Sequence, residues 1–273
     1  MLNKELQAKY DKLIQILKDC GSLLVGYSGG VDSTFLAKAA YDALGDNAVA
    51  ITGLSASYSQ RELKDARDFA KQIGIKHIEL DSNELLKEEF LRNDTDRCYH
   101  CKKALFTEIL NMADKLNMAY VAEASNIDDE GDYRPGLSAA AELKIRCPLR
   151  EAGLTKDEIR LISKELGLPS WDKPAFACLS SRVPYGTRID AEKLSMIERA
   201  ESVLFDLGFK QPRVRHHGSV ARIEVSKEEM AAVLKSDTAN RIYLAFKEIG
   251  FDFTALDILG YRTGSLNETF LQK

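Results

Sequence analysis

The chain has 273 residues, 45% of them hydrophobic and 29% charged, enough apolar content for a packed core without covalent staples. A net charge of −4 and a pI near 5.7 speak against a phosphate-backbone partner, so no nucleic acid is expected, and no run approaches the roughly eighteen apolar residues of a membrane span. Five cysteines, with a start (Met1 to Leu6) that reads as amphipathic helix and not as an export signal, predict a cytoplasmic protein with thiols or metal ligands, not disulfides.

Residues 2–19 carry Leu2, Leu6, Tyr10, Leu13, Ile14 and Leu17 at helical spacing, and Cys20 and Gly21 close that helix. Leu23, Leu24 and Val25 then make the short apolar run of a buried parallel strand. After Gly26 and Tyr27 comes Ser28-Gly29-Gly30-Val31-Asp32-Ser33, followed by Phe35, Leu36, Ala39 and Ala40 at helical spacing. Strand, glycine turn and helix in that order make an anion site. Adjacent glycines admit close backbone approach, serine hydroxyls line the turn, and the helix N-terminus directs unpaired N–H groups at it. Pyrophosphate is the anion expected. Asp32 is out of place in an anion site unless a cation also sits there, so it reads as a Mg²⁺ partner or an orienting acceptor. The hexapeptide is neither GxxxxGK[ST] nor GxGxxG. It resembles the PP-loop of ATP pyrophosphatases, which implies cleavage of ATP to AMP and pyrophosphate, with Gly26 and Ser28 to Ser33 at the nucleotide.

Residues 48–52 read as the second strand, and its exit, Gly53-Leu54-Ser55, lies where open α/β sheets bind ligands; the PP-loop resemblance implies these three as walls of the adenosine site. A helix over 59–73 and a half-exposed strand over 76–80 follow. Arg97-Cys98-Tyr99-His100-Cys101-Lys102-Lys103 opens the next helix, where the dipole and nearby cations favour thiolates. That C-x-x-C fits a redox pair, half a zinc site or two ligands of an iron–sulfur cluster, and no second C-x-x-C completes a zinc set. Strand 120–123 feeds an acidic loop, Asn126 to Gly136, in which Asn126 is a candidate nucleotide contact. Arg146 to Leu149 reads as a last short strand with a structural Cys147. Thr155 and Glu158 form a capping box. The alternation predicts an α/β fold, a parallel sheet with helices on both faces. The segment from Pro169 to Asp190 is long, aperiodic and cation-rich, and Cys178 sits in it among Lys173, Arg182 and Arg188, which would favour its thiolate. Beyond it, a helix over 190–207 places Glu198 and Glu201 on its polar side. A strand puts Arg213, Arg215 and His217 on one face, the two arginines forming an anion clamp, and His216 and His217 read as solvated. Strand 220–225 sets Arg222 and Glu224 on one face. Helices near 227–236 and 238–249 and a strand over 251–256 complete a small α+β domain. The predicted division is 1–168, a linker loop 169–189, and 190–273.

The hexapeptide Ser28 to Ser33, Arg97 to Lys102, Asn126 to Gly136 and Pro174 to Thr187 together resemble the LarE family, ATP-dependent sulfurtransferases, over nearly the whole chain. The resemblance implies adenylation of a carboxylate on pyridinium-3,5-biscarboxylic acid mononucleotide, attack by Cys178 on the acyl-adenylate, and a place in making the nickel-pincer cofactor of lactate racemase. It assigns Glu201, Arg213, Arg215 and Glu224 to the site, Glu224 as a metal candidate, and it implies a homo-oligomer, a hexamer in related proteins. For the sulfur it offers two sources. One is Cys178 itself, consumed once. The other is sulfide on a [4Fe–4S] cluster held by Cys98, Cys101 and Cys178, favoured because the sacrificial route leaves Cys98 and Cys101 without a role. Other PP-loop reactions, tRNA thiolation or ammonia-dependent amidation, and a non-catalytic AMP sensor stand as alternatives.

Overall fold

A computed structural model describes residues 2–129, 135–174, 177–262 and 264–266. In chain order the elements are α1 (Lys4–Cys20), β1 (Leu23–Gly26), α2 (Val31–Leu44), β2 (Ala48–Leu54), α3 (Gln60–Ile73), β3 (Lys76–Asp81), α4 (Glu88–Leu91), α5 (Arg97–Lys115), β4 (Tyr120–Ala122), α6 (Pro135–Glu142), α7 (Pro148–Glu151), α8 (Lys156–Glu165), α9 (Ala191–Asp206), β5 (Arg213–His217), β6 (Val220–Glu224), α10 (Met230–Val233), α11 (Ser236–Ile249) and β7 (Phe253–Leu256). They form two compact units, one of Met1–Glu84 and Asp96–Phe176, the other of Leu85–Thr95 and Ala177–Lys273.

The first unit is built on a parallel sheet ordered β3-β2-β1-β4. Alternate residues of its strands face opposite layers, as a pleated strand requires. Leu23, Val25, Ala48 and Ala50 join α1, α2, α3 and α8 in one core, while Leu24, Val49 and Ile51 join Phe106 and Ile109 of α5 in the other. Leu13 and Leu17 of α1 are fully enclosed, and each such leucine contributes about 1.5–3 kcal/mol of burial. The predicted strand at 146–149 is absent: a single parallel bridge joins Ala122 to Arg146, and Pro148 starts α7 at once. Proline has no N–H for a ladder but suits a first helical turn.

Because β1 lies between β2 and β4, the chain leaves it toward one side for β2 and β3 and returns to the other for β4. That reversal is a topological switch point, where a crevice opens outside the carboxyl ends of the strands. The glycine turn after β1 and the residues after β4 both lie at this end.

In the second unit β5 and β6 form an antiparallel hairpin through Gly218 and Ser219, and β6 pairs β7 in parallel. With α9, α10 and α11 this is the expected αββααβ arrangement, closed over Ala200, Leu204, Val214, Ile223, Phe246 and Phe251. Residues 85–95 pack with this unit. Asn93, fully buried with φ of +58°, donates its side-chain amide to the carbonyls of Pro184 at 2.8 Å, Thr187 at 3.0 Å and Val183 at 3.3 Å. The backbone N–H of Gly186 in turn donates to the Asn93 carbonyl at 3.0 Å.

Candidate active site

At the switch point of the first unit, Gly29 has φ of +63°, and a Cβ there would stand 2.8 Å from the Ala66 backbone of α3. Conformation and space therefore both require glycine. The Ser33 hydroxyl caps the turn: it accepts from the Ser28 N–H at 3.2 Å and meets the Ser28 hydroxyl at 3.1 Å. Tyr58 donates its hydroxyl to the Ser28 carbonyl at 2.7 Å. Gly30 is the N-cap of α2 and makes no side-chain cap bond, so the first N–H groups of that helix stay available to a ligand.

Asp32 is ion-paired through Oδ2 with Lys156, the first residue of α8. Its Oδ1 is buried without a hydrogen-bond partner among the described residues. Burial raises the Asp32 pKa, and Lys156 opposes that shift. Beyond β4, Asn126 is buried; its N–H donates to Asp129 Oδ2 at 3.0 Å and its Oδ1 accepts from the Asp128 N–H at 2.9 Å. Of the acidic loop, residues 130–134 lie outside the described residues, as do Ala175 and Phe176 before Cys178.

At the exit of β2, Gly53 is closely covered by the Leu105 side chain, which a Cβ would meet at 2.6 Å. Ser55 donates to the buried carboxylate of Glu84, which also accepts the Ser57 N–H at 3.2 Å and, on its other oxygen, the Cys101 thiol at 3.5 Å. A second buried carboxylate, Glu123, directly follows β4 and accepts from Lys102 at 2.5 Å and Ser125 at 2.7 Å. It faces Cys147, whose thiol is pushed up to about 11 by burial and then by Glu123. Neither glutamate could be singled out from sequence, since each follows a strand in an unremarkable context; only the fold sets them at the strands' carboxyl ends.

Cys98 and Cys101 occupy the first turns of α5, Cys98 exposed and Cys101 partly buried, with the buried Arg97 guanidinium 3.7 Å from Cys98 Sγ. Lys173 is nearly buried against Glu62 at 3.1 Å and Asp65 at 2.8 Å and reaches the Gly29 carbonyl at 3.4 Å. Its charge is therefore committed to α3, not to the cysteine five residues on.

In the second unit Cys178 is exposed and caps a 3₁₀ turn, Leu179–Arg182. Beneath it lies Arg182, 1% exposed. Its guanidinium donates to the carbonyls of Ala177 at 2.6 Å and Cys178 at 3.1 Å and makes a bidentate pair of hydrogen bonds to Glu201 at 2.8 and 3.1 Å. Glu201 also accepts the Val214 N–H at 3.0 Å. Glu201 is thus buried, not on the polar side of its helix, because a cation arrives from outside the helix to pair it. Arg188 is likewise engaged, with Glu88 at 2.5 Å on the surface.

Arg213 and Arg215 share a face of β5. Arg215 is bidentate to Glu224 at 2.8 and 3.0 Å and donates to the Ser181 carbonyl at 2.7 Å. Arg213 stacks on Tyr261, 5.4 Å from the ring centroid, and burial followed by the charge of Arg182 depresses it to about 10. Arg222 bridges Glu224 at 3.0 Å and Asp257 at 2.9 Å, and Arg262 adds to Asp257. Glu224 is fully buried under two arginines. His216 is buried against Phe251, not solvated, while His217 is exposed. Five guanidiniums meet three carboxylates in this network, an excess of positive charge around the cysteine turn suited to an anionic substrate. Among the described residues no three His, Cys, Asp or Glu side chains gather as a metal site, and no described helix is long and apolar enough to cross a membrane.

A glycine turn of this sequence, placed after the central strand at a switch point, defines an ATP-using enzyme of the PP-loop type. The profile of the NAD synthase family matches residues 4–119. An uncharacterized protein of Synechocystis is 44% identical over 96% of this chain and 98% of its own length. Pyridinium-3,5-bisthiocarboxylic acid mononucleotide synthase of Lactiplantibacillus plantarum is 35% identical over 97% of this chain and 95% of its own. A tRNA-specific 2-thiouridylase of Azorhizobium caulinodans is 30% identical, over 56% of this chain and 48% of its own. The chain belongs to the LarE family of ATP-dependent sulfurtransferases, the family of the Lactiplantibacillus synthase.

Proposed function

We propose that this protein converts a carboxylate of pyridinium-3,5-biscarboxylic acid mononucleotide into a thiocarboxylate, on the way to the nickel-pincer cofactor of lactate racemase. The observation that carries the sulfur half is the contrast among the cysteines. Cys20 and Cys147 are buried and Cys98 and Cys101 are held in the first turns of α5, whereas Cys178 is an exposed thiol on a turn whose backbone is clamped by a buried arginine.

In this reading a substrate carboxylate oxygen attacks the α-phosphorus of ATP and pyrophosphate leaves. The amides at the start of α2 and the hydroxyls of Ser28 and Ser33 receive the phosphates, with Gly53, Leu54 and Ser55 beside the nucleoside and Asn126 at the far side of the crevice. The orphan Oδ1 of Asp32 fits a Mg²⁺ ion, which when bound neutralises phosphate charge. The Cys178 thiolate then attacks the acyl carbon and AMP leaves, giving a thioester. Removal of the Cys178 Cα proton forms the Cα–Cβ double bond as the Cβ–S bond breaks, leaving dehydroalanine and a thiocarboxylate. Arg213 and Arg215, within the cationic network, would orient the anionic substrate. Glu201 acts by holding Arg182, and Glu224 by holding Arg215 and Arg222.

The alternative source of sulfur, a [4Fe–4S] cluster on Cys98, Cys101 and Cys178, is favoured by the two thiols at the start of α5. Cys98 and Cys101 belong to the first unit and Cys178 to the second, and no step is routed through a cluster. An intact-mass spectrum after anaerobic reaction with Mg-ATP and the dicarboxylated mononucleotide separates these routes. Loss of one H₂S equivalent at Cys178 alongside thiolated product supports the sacrificial route, and thiolated product with Cys178 intact overturns it. AMP without thiolated product would mean that the acceptor is a different carboxylate.

A further inference from the structure

Four successive carbonyls of the glycine turn, Tyr27 to Gly30, each carry a hydrogen-bond donor. Thr52 Oγ1 donates to the Tyr27 carbonyl at 2.7 Å, the Tyr58 hydroxyl to that of Ser28 at 2.7 Å, and Lys173 Nζ to that of Gly29 at 3.4 Å. The Gly30 carbonyl is taken from within the loop, by the Ser33 hydroxyl at 3.2 Å and the Thr34 N–H at 2.9 Å. In a trans peptide the N–H of each residue points opposite to the carbonyl of the residue before it. A donor on one carbonyl therefore aims the next amide the other way. Tyr58 so aims the N–H of Gly29, Lys173 that of Gly30, and Ser33 that of Val31, the first residue of α2. Thr52 aims only the Ser28 N–H, which the Ser33 hydroxyl already accepts at 3.2 Å.

The geometry points to Tyr58 and Lys173 as positioning residues of the anion site: they hold the Ser28 and Gly29 carbonyls on the α3 side of the turn and so present the Gly29 and Gly30 amides to the phosphates. This rests on the ATP reading given above. The sequence itself creates the need. Two adjacent glycines have the freest backbone in the chain, and a peptide plane that flips would set a carbonyl oxygen where an anion must sit. Amides already aimed lose no orientational freedom when the anion arrives. Both holds are themselves braced. Tyr58 lies just before α3, and its N–H donates to the Ser55 carbonyl at 3.0 Å. The Lys173 ammonium is fixed by Glu62 and Asp65 of α3, and Arg160 of α8 donates to the carbonyls of Trp171 at 2.7 Å and Lys173 at 2.9 Å. Neither side chain needs to touch the ligand; each acts through a backbone carbonyl.

The test is calorimetric titration of the full chain with inorganic pyrophosphate and, separately, with adenosine, in buffer containing Mg²⁺. Tyr58→Phe keeps the ring and removes one hydroxyl; it should weaken pyrophosphate by about threefold to tenfold, the worth of one hydrogen bond, while adenosine changes by less than about twofold. Lys173→Met, measured below its unfolding transition, should lose pyrophosphate selectively in the same range. Thr52→Val is the control: it removes a hold of the same kind whose amide is already occupied, so it should lower the unfolding midpoint and leave pyrophosphate affinity within about twofold. Pyrophosphate affinity unchanged in Tyr58→Phe, falling in step with adenosine, or falling as far in Thr52→Val would mark general loosening of the loop and overturn the assignment. Unaltered protein that binds neither ligand overturns the ATP reading and the assignment with it, whereas equal binding of both by protein and variants overturns only the role of Tyr58 and Lys173.

Discussion

Replacing Arg182 by methionine tests whether the buried guanidinium is what holds the cysteine turn. The substitution keeps much of the volume but removes two hydrogen bonds to the carbonyls of Ala177 and Cys178 and leaves Glu201, 4% exposed, without its cation. Breaking one side of a buried pair costs about 3–5 kcal/mol, a large part of a total stability of about 5–15 kcal/mol. The measurement is the denaturant midpoint of the second unit's transition at unchanged slope. Removing the other side as well, Arg182→Met with Glu201→Leu, should cost clearly less than the sum of the single changes, since no bare carboxylate remains. A single variant destabilised by under about 1 kcal/mol, or a strictly additive pair, would refute the account.

Gly29→Ala should destabilise the first unit and abolish pyrophosphate release, because the new Cβ meets the Ala66 backbone at 2.8 Å in a left-handed conformation costing roughly 1–2 kcal/mol before the clash; a variant with normal melting and turnover would sink the loop geometry. Asn93→Ala should loosen the segment after Cys178 by removing the side-chain amide's hydrogen bonds to three carbonyls, so alkylation of Cys178 by iodoacetamide should accelerate; an unchanged rate would count against the clamp. Stability should also fall with acid. Burial, then the charge of Lys193, depresses the His216 pKa below 6.5. The unfolded chain therefore takes up the proton first, so this contribution is whole above pH 6.5 and is lost as the pH drops below it. His216→Phe should flatten the slope of unfolding midpoint against pH between about 7 and 5, leaving the share of His77, which burial also depresses; an identical slope would refute the attribution.

The nucleotide end was legible because its requirements are local. A glycine forced by φ and by close approach, a helix that begins at once, and a strand with three buried apolar residues all write themselves into adjacent positions. The capping box at Thr155 and Glu158 was legible for the same reason. The strand expected at 146–149 failed on Pro148, whose missing N–H was the signal against it. Glu201 and His216 were read as solvated from spacing alone. Each is buried through a partner distant in sequence, Arg182 nineteen residues before Glu201 and Phe251 well beyond His216, and periodicity carries no information about such partners.

The arginine pair of β5 shows where pattern reading stops and accounting of charge must begin. Two arginines two residues apart do share a face, as the strand period dictates. Sharing a face does not make them an open clamp, because Glu224 stands on the neighbouring strand and takes Arg215 with both oxygens. A fully buried glutamate cannot remain charged without such partners, so Glu224 and Arg215 specify each other before any substrate arrives. What the network offers an anion is its surplus, five guanidiniums over three carboxylates, and among the five Arg213 is strained by burial and by the neighbouring charge of Arg182. An incoming phosphate or carboxylate would relieve that strain, so substrate affinity should depend more steeply on Arg213 than on Arg215. Arg213→Met should raise the Kd for the mononucleotide with little loss of stability, and Arg215→Met should chiefly lower the unfolding midpoint. The reverse ordering in titration and denaturation would show that the Arg215 and Glu224 pair opens to receive substrate, and the surplus-charge argument would fall.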